Sequence, residues 1–325
     1  MHLAFALPDP AETGGGGGGY IDGLAGGLRD LGHHVEILAG ADPTFPAGAT
    51  PVVDGMLLPR LHHRLDALIA ADAVVLVHHI AAAAGRDDAS RERVLAIEAS
   101  MLPRLRRIIA TSQPVADRLQ AEFGVSARAV PPGIRNLVKA RPDPDNPIIL
   151  AVGVLTRRKG HDHLLRAVAR MTDLPWRLLI AGDSRREPAH VAELHEIIAE
   201  SGLQDRSSLL LDPLPDVLEH AWQRATVFAL ATQWEGYPSA VAEALRRGIP
   251  SVVTSAANAE TFLPPDAGAI CPVDDMPTFG KCLRRLLFDR DLRADFSAAA
   301  RTAGATLPSL TDRAREFAAI LESRP

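Results

Sequence analysis

The sequence predicts an α/β protein in which two doubly wound domains follow one another along the chain. Short apolar runs alternate with segments that repeat apolar residues at helical spacing, which is the pattern of parallel sheets covered by helices. The alternation is interrupted at residues 139–147, where three prolines in nine residues are typical of a stiff connection. A chain of 325 residues is also long for one hydrophobic core and sufficient for two.

The first predicted domain covers residues 1–141. Residues 3–7 are predicted to form a buried strand, a glycine-rich loop follows, and residues 21–31 have the apolar spacing of a helix. With the strand that comes next, this order makes the βαβ unit of a parallel sheet. The remaining predicted elements are strands at residues 35–38, 50–53, 73–77, 107–110 and 127–130, and helices at residues 61–70, 90–102 and 113–123.

The second predicted domain covers residues 145–308 and repeats the same alternation. Its predicted strands are residues 148–152, 177–181, 208–211, 227–229 and 251–253, and its predicted helices are residues 161–171, 189–201, 238–247 and 276–288. A last helix is predicted at residues 309–322. Because ligands of doubly wound proteins bind at the carboxyl ends of the strands, we expect the functional site in the cleft between the two domains.

The composition argues against several classes of function. Aromatic residues make up 4% of the chain and the formal net charge is −5, so we expect no nucleic-acid partner. The two cysteines, Cys271 and Cys282, provide neither a disulfide framework nor a zinc ligand set. The apolar residues 3–7 are too few for a signal peptide, and we expect a cytoplasmic protein. The basic cluster at residues 104–107 allows at most a peripheral membrane contact.

Six consecutive glycines, residues 14–19, lie between the first strand and its helix. They fit the G-x-G-x-x-G pattern of dinucleotide-binding proteins, which makes an NAD(P)-dependent oxidoreductase one alternative function. Six glycines match any glycine pattern, however, and Glu36 lies inside the second strand rather than after it. We therefore interpret the run as a loop in which Gly16 and Gly17 approach an anionic or polar ligand closely, with a slack linker as the alternative.

A second loop, residues 153–160, has the composition of a phosphate site. It reads Gly-Val-Leu-Thr-Arg-Arg-Lys-Gly and lies between a predicted strand and a predicted helix. Lys159 is one of three lysines in the chain, and Arg158 precedes it. Cationic side chains at a helix N-terminus attract phosphate, whereas the simpler alternative is an ordinary basic helix entry. His161 and His163 open that helix without further ligands, so we expect no metal site there.

The stretch around Pro238 places two carboxylates beside a predicted helix start. Pro238 suits the first turn of a helix, so the amides that follow it would face outward. Glu235 precedes this turn, and Glu243 lies within the helix. Carboxylates accept hydrogen bonds from hydroxyl groups, and an anion on the amides would have one carboxylate on either side. This layout fits a nucleotide sugar, in which a diphosphate lies between two sugars.

The motifs together resemble a known family. Glu235 and Glu243, with seven residues between them, resemble the E-x7-E signature of retaining GT-B glycosyltransferases of glycosyltransferase family 4. Residues 153–160 are similar to the G-x-L-x-x-R-K-G phosphate loop of that family. Residues 13–20 resemble its glycine-rich first loop, and Pro131-Pro132-Gly133 resembles the P-x-G before its interdomain linker.

The resemblance implies a role for each matching residue. Glu235 would bind hydroxyls of the donor sugar, and Glu243 would bind the ribose. His78, preferred to His79, would lie near the anomeric carbon of that sugar. The other donor-binding residues that the resemblance implies are Gly16 and Gly17, the diphosphate-neutralising pair Arg158 and Lys159, Asp212 and Leu214 beside the base, and the segment Gly236, Tyr237, Pro238, Ser239 and Ala240.

The resemblance further implies a GT-B fold and a retaining, metal-independent transfer without any cofactor. A hexose would pass from a nucleoside diphosphate sugar, a UDP- or GDP-sugar, to a hydroxyl of a small molecule, a glycan or a lipid-linked acceptor. The C-terminal helix, residues 309–325, would cross back onto the first domain. A second alternative function is a non-catalytic sugar-nucleotide-binding protein, which would bind the donor without transferring the sugar.

Overall fold

The computed structural model describes residues 1–8, 18–80 and 88–323, so the candidate residues Gly16 and Gly17 lie outside the described residues. The chain divides into two compact units, one formed by Met1–Gly133 with Pro308–Pro325 and the other by Ile134–Leu307. Within the described ranges, each unit contains a sheet of six parallel strands with helices packed against it. The predicted α/β architecture with two doubly wound sheets is therefore confirmed.

The strands of the first unit lie close to the predicted ones. In chain order they are β1 (His2–Leu7), β2 (His34–Ala39), β3 (Thr50–Asp54), β4 (Val74–Val77), β5 (Arg107–Ala110) and β6 (Arg128–Ala129). Their order across the sheet is β2-β1-β3-β4-β5-β6, so β2 is an edge strand. The inner strand β4 is buried at every residue, as expected when helices cover both faces of a parallel sheet.

Helices connect these strands and cover the sheet. They are α1 (Gly18–Asp30), α2 (Leu65–Ala70), α3 (Asp88–Met101), α4 (Gln113–Phe123) and, from the end of the chain, α11 (Leu310–Glu322). A 3-10 helix, Leu58–Arg64, precedes α2 and takes up the first part of the helix predicted at residues 61–70. The break occurs at Arg64, where φ is −107° and ψ is 9°, outside α-helical geometry.

The last helix, α11, belongs to the core of the first unit. Phe317 stacks on Phe5 of β1 with ring centroids 6.1 Å apart, and Leu321 is buried in the same cluster. At its start, Ser309 and Asp312 form a capping box that satisfies two backbone donors. Although α11 follows the whole second unit in the chain, it is therefore a structural part of the first.

The second unit repeats the architecture with its own sheet. Its strands are β7 (Ile148–Val152), β8 (Arg177–Gly182), β9 (Ser207–Leu211), β10 (Val227–Leu230), β11 (Ser251–Thr254) and β12 (Gly268–Cys271). Their order is β12-β11-β10-β7-β8-β9, so β7 lies between β10 and β8. The helices are α5 (His161–Val168), α6 (Pro188–Glu200), α7 (Pro215–Arg224), α8 (Ser239–Arg247), α9 (Met276–Phe288) and α10 (Arg290–Thr306).

Three elements of the second unit, β12, α7 and α10, are absent from the sequence prediction. α7 begins at Pro215, two residues after Pro213, and such a pair favours a loop. α10 is 17 residues long, but it buries Arg293, Ala300 and Gly304 rather than large apolar side chains, so its periodicity is weak. Among the helices of the described ranges, none has both the length and the apolar character that crossing a membrane requires.

The division between the units falls earlier than the predicted boundary. Residues 134–141, which the sequence assigned to the first domain, group with the second unit. The amide of Ala140 donates to the carbonyl of Arg247 at 2.9 Å, and the amide of Arg141 donates to the carbonyl of Gln223 at 2.7 Å. Ile134 is buried in the core of the same unit. These backbone hydrogen bonds hold the segment to the second unit. Its composition predicted only a connection between the domains.

Candidate functional site

Two predicted motifs meet at the carboxyl ends of β7 and β10 in the second unit. These parallel strands are neighbours in the sheet, so the loops that follow them lie side by side. Residues 153–160 follow β7, and Glu235 lies in the loop between β10 and α8. Arg158 and Lys159 lie in a 3-10 turn, Arg157–Lys159, whose C-cap is Gly160. The fold therefore brings the predicted phosphate loop and the predicted sugar-binding carboxylate together.

Glu235 is paired with both cations of this loop. Lys159 Nζ lies 2.5 Å from Glu235 Oε1, and Arg158 Nη1 lies 3.2 Å from the same oxygen. The hydroxyl of Thr232 donates a hydrogen bond of 3.0 Å to it as well. The side chains of Glu235 and Lys159 are 8% and 14% exposed, so this ion pair is largely shielded from water.

The pKa of Glu235 reflects these neighbours. Burial acts to raise the pKa of a carboxyl, because it disfavours the charged form. The charges of Lys159 and Arg158, together with hydrogen bonds from Lys159 and Thr232, outweigh burial and hold the pKa of Glu235 below its usual value. Glu235 is therefore ionised at neutral pH, and its single negative charge balances only one of the two cations.

The loop that carries Glu235 is anchored to the segment after β11. The amide of Glu235 donates to the carbonyl of Ala256 at 2.9 Å, and the side-chain amide of Asn258 donates to the carbonyl of Glu235. The hydroxyl of Thr254 donates to the carbonyl of Thr232 at 2.5 Å. Thr232 and Asn258 thus position the carboxylate. Sequence reasoning missed both, since neither lies in a motif.

Gly160 permits a close approach between the phosphate loop and the end of β10. Its backbone is left-handed, with φ at 65°, and a Cβ at this position would lie well under 3.0 Å from the carbonyl oxygen of Ala231. At the other end of the loop, a Cβ at Gly153 would lie 3.1 Å from Cε of Lys159. The glycine at position 160 is therefore required both by its conformation and by the space available.

The amides at the start of α8 do not face outward as predicted. The amide of Ser239 donates to the carbonyl of Tyr237 at 3.0 Å, and the amide of Val241 donates to the carbonyl of Pro238 at 2.9 Å. Pro238 has φ of −85° and ψ of 69°, the geometry of an inverse γ-turn, and it is the N-cap of the helix. The prediction is wrong for Ser239 and Val241, because the γ-turn uses the first of these donors and the first turn of the helix uses the second.

Glu243 lies within α8 and is half-buried. Burial raises the pKa of its carboxyl above the usual value, while the charges of Arg247 and Arg135 act in the opposite direction. Arg247 is itself buried and pairs with Glu219 at 2.6 Å. The surroundings of Glu243 therefore disfavour its ionised form, in contrast to those of Glu235.

Asp212 and Leu214 follow β9, the strand two places from β7. The hydroxyl of Ser184 donates to Asp212 Oδ2 at 2.5 Å, and Arg185 Nε lies 3.6 Å from Oδ1. Leu214 is 71% exposed. Since all six strands of the sheet are parallel, these residues lie at its carboxyl side, as Lys159 does. Ser184 and Arg185 therefore hold the side chain of Asp212 within its own part of this edge.

His78 follows β4 in the first unit and lies beside Tyr20 and Asp54. The His78 and Tyr20 rings meet edge-on with centroids 5.4 Å apart, and His78 Nε2 is 3.5 Å from Asp54 Oδ2. The hydroxyl of Tyr20 donates to the carbonyl of Val130 at 2.9 Å, and burial raises the pKa of that hydroxyl. Tyr20 and Asp54 thus both lie against the imidazole of His78. Sequence reasoning did not identify them, because they form no motif with His78. The preference for His78 over His79 stays a prediction.

Comparison with known proteins shows that part of the chain matches a known family. Residues 135–303, just over half of the chain, match the family model described as glycosyl transferases group 1. The amylovoran biosynthesis glycosyltransferase AmsD of Erwinia amylovora is 28% identical over 152 residues, which cover 47% of this chain and 42% of AmsD. The D-inositol 3-phosphate glycosyltransferase of Xylanimonas cellulosilytica is 30% identical over 162 residues, which cover 49% of this chain and 38% of that protein. Less than half of either relative is matched.

A solved structure extends the likeness to the whole chain. HepE of Anabaena, in complex with UDP-glucose, has a TM-score of 0.81 to this structure at 16% sequence identity. The comparison covers 99% of this chain and 100% of HepE. At this level of identity the likeness shows the fold alone, and the fold is the GT-B fold with two Rossmann-like domains that the motifs implied.

Proposed function

This chain belongs to the group 1 glycosyl transferases, and on that basis we propose that it transfers a hexose from a nucleoside diphosphate sugar to a hydroxyl group of an acceptor. The observation that carries the proposal is the cluster of Arg158, Lys159 and Glu235. Two cations there suit a diphosphate, and the carboxylate beside them suits the hydroxyls of a sugar. The UDP-glucose bound to HepE and the names of the relatives support this class of donor.

In the proposed reaction, the bond between the anomeric carbon and the diphosphate breaks, and its electron pair goes to the phosphate oxygen. The acceptor oxygen attacks from the same face and its proton passes to that phosphate oxygen, so the configuration of the sugar is retained. Arg158 and Lys159 stabilise the negative charge that develops on the leaving diphosphate. Because these cations are already in place, the reaction needs neither a metal ion nor a cofactor.

The other candidate residues take supporting roles in the proposal. Glu235 binds hydroxyls of the donor hexose, Glu243 binds the ribose, and His78 lies near the anomeric carbon. Asp212 and the exposed Leu214 lie beside the base of a UDP- or GDP-sugar. The remaining proposed donor contacts are Gly16 and Gly17, outside the described residues, and the segment Gly236, Tyr237, Pro238, Ser239 and Ala240. The acceptor is a small molecule, a glycan or a lipid-linked sugar.

A nucleotide-sugar screen in the presence of a chelator tests this function. We expect UDP-sugars or GDP-sugars to raise the melting temperature of the full chain, and release of the nucleoside diphosphate from the donor to continue in EDTA. A complete and reversible loss of turnover in EDTA would contradict the metal-independent reaction. A response to NADH but to no nucleotide sugar would favour the oxidoreductase, and donor binding without any turnover would favour a non-catalytic binding protein.

Donor affinity should depend on pH through Glu243. Because burial raises the pKa of Glu243, its carboxylate is protonated on acidification at a higher pH than an ordinary Glu, whose pKa is about 4.3. The protonated form is a poorer acceptor for ribose hydroxyls. As the pH falls, the Kd of the nucleotide sugar should therefore begin to rise at a pH above about 4.3. Calorimetric titration at a series of pH values measures this.

The Glu243→Gln variant should remove that part of the pH dependence, because a Gln side chain does not titrate. Glu200→Gln is the matched control, since Glu200 is an exposed residue at the end of α6 in the same unit. If Glu243→Gln keeps the pH profile of the unmodified chain, Glu243 does not bind the ribose.

A further inference from the structure

Three metal-ligating side chains meet on the first two strands of the first unit. His2 of β1 is the register partner of His34 of β2. Glu36 lies two residues after His34, so both side chains project from the same face of β2. Leu3 and Val35, which alternate with the histidines, are buried in the core on the opposite face. The three polar groups therefore share the outer part of one sheet face, at the edge strand.

The distances between these groups approach those of a metal centre. His2 Nε2 lies 2.6 Å and His34 Nε2 lies 3.4 Å from Glu36 Oε1. One ligand atom from each of the three residues lies within 4.8 Å of the others. In a tetrahedral zinc site with bonds of about 2.0–2.1 Å, the ligand atoms are roughly 3.3 Å apart. Small side-chain rotations would thus suffice, and the side chains are 29%, 68% and 37% exposed, which leaves room for them.

The types of ligand atom also suit a particular cation. Two imidazoles and a carboxylate form a ligand set that Zn²⁺ accepts, whereas Ca²⁺ and Mg²⁺ prefer sites made of oxygen ligands alone.

We propose that His2, His34 and Glu36 bind one Zn²⁺ ion, with water as the fourth ligand. The ion replaces the hydrogen bond between His2 and Glu36 and joins β2, the edge strand, to β1. Its role is structural: because the site exists only in the folded chain, the ion stabilises the first unit. The proposed zinc site takes no part in sugar transfer, and the proposed transfer reaction still needs no metal ion.

The test uses the full chain after removal of bound metal. A hundredfold excess of Zn²⁺ over its Kd should raise the melting temperature of the first unit by roughly 5–10 °C. In a titration with Zn²⁺, this site should be saturated at one equivalent of the ion. Co²⁺ in place of Zn²⁺ should give the visible absorption of a tetrahedral site. Ca²⁺ should produce no such rise.

Two variants and a control locate the ion. His34→Ala and Glu36→Gln should each weaken Zn²⁺ binding at least tenfold and abolish the Co²⁺ absorption. His62→Ala changes an exposed histidine that lies beside His63 elsewhere in the same unit, and it should change neither measurement. The proposal is overturned if Zn²⁺ produces no rise in melting temperature, or if both variants bind it as tightly as the unmodified chain does. Unchanged binding would mean that the three side chains form only a hydrogen-bonded cluster.

Discussion

Lys159→Ala and Glu235→Gln should shift the affinity for a free nucleoside diphosphate in opposite directions, although both break the same ion pair. Lys159→Ala removes a cation that binds the diphosphate, so the affinity should fall by about tenfold to a hundredfold. Glu235→Gln removes the carboxylate that occupies Lys159 and Arg158 in the ligand-free structure. With both cations uncompensated, the nucleoside diphosphate should bind more tightly.

The two variants should not change the rate of sugar transfer in opposite directions. Both variants should lower kcat/KM, Lys159→Ala through the diphosphate and Glu235→Gln through the hexose hydroxyls, by about tenfold to a hundredfold each. Both should also lower the free energy of unfolding, because each breaks an ion pair that is largely shielded from water. Loss of folding stability therefore cannot account for opposite changes in affinity.

Calorimetric titration of UDP and GDP, paired with donor turnover, measures the two effects. Lys281→Ala is the matched control, because Lys281 is an exposed lysine of α9 in the same unit. That variant should leave both Kd and kcat/KM unchanged. If Lys159→Ala binds the nucleoside diphosphate normally, or if Glu235→Gln weakens it as much as Lys159→Ala does, the diphosphate lies elsewhere.

Gly160→Ala should destabilise the second unit more than the same change at Gly202. Both glycines have φ of 65°, and an L-residue in this left-handed conformation costs about 1–2 kcal/mol. At Gly202 the added Cβ meets nothing within 4 Å, so that cost is the whole effect. At Gly160 it meets the carbonyl of Ala231, a backbone atom that cannot turn aside, and overpacking adds about 1–3 kcal/mol.

Urea unfolding followed by tryptophan fluorescence suits this comparison, because all three tryptophans, Trp176, Trp222 and Trp234, lie in the second unit. Gly160→Ala should also weaken nucleotide-sugar binding, since Ala231 is the first residue of the loop that holds Glu235. Gly202→Ala should bind the donor normally. Equal losses of stability in the two variants would show that the loop tolerates a wider separation from β10.

The cluster of Arg158, Lys159 and Glu235 could be predicted because topology links its members. Each follows an apolar strand, and neighbouring parallel strands place such residues on one side of a sheet. The alternation of apolar runs with segments of helical spacing was also sufficient to predict most of the strands. It failed at α10, where the buried positions hold Ala300 and Gly304 instead of large apolar side chains.

The contacts that position the site were not predictable in the same way. Thr232 and Asn258 act through hydrogen bonds to a backbone or carboxylate that only the folded loop brings near. The γ-turn at Pro238 depends on a backbone angle that proline does not determine, since proline restrains φ and leaves ψ free. His2 and His34 are 32 residues apart and become neighbours only through strand pairing.

The place of α11 in the first unit has a consequence for synthesis on the ribosome. Phe317 and Leu321 complete the same apolar cluster as Phe5, but residues 134–307 must be translated before they emerge. At 5–20 residues per second, that delay is roughly 10–35 s. During it, the nascent first unit exposes the apolar surface that α11 will cover, while the second unit is still being synthesised. The first unit to leave the ribosome is thus the last to finish folding, and the interval gives chaperones a defined surface to bind.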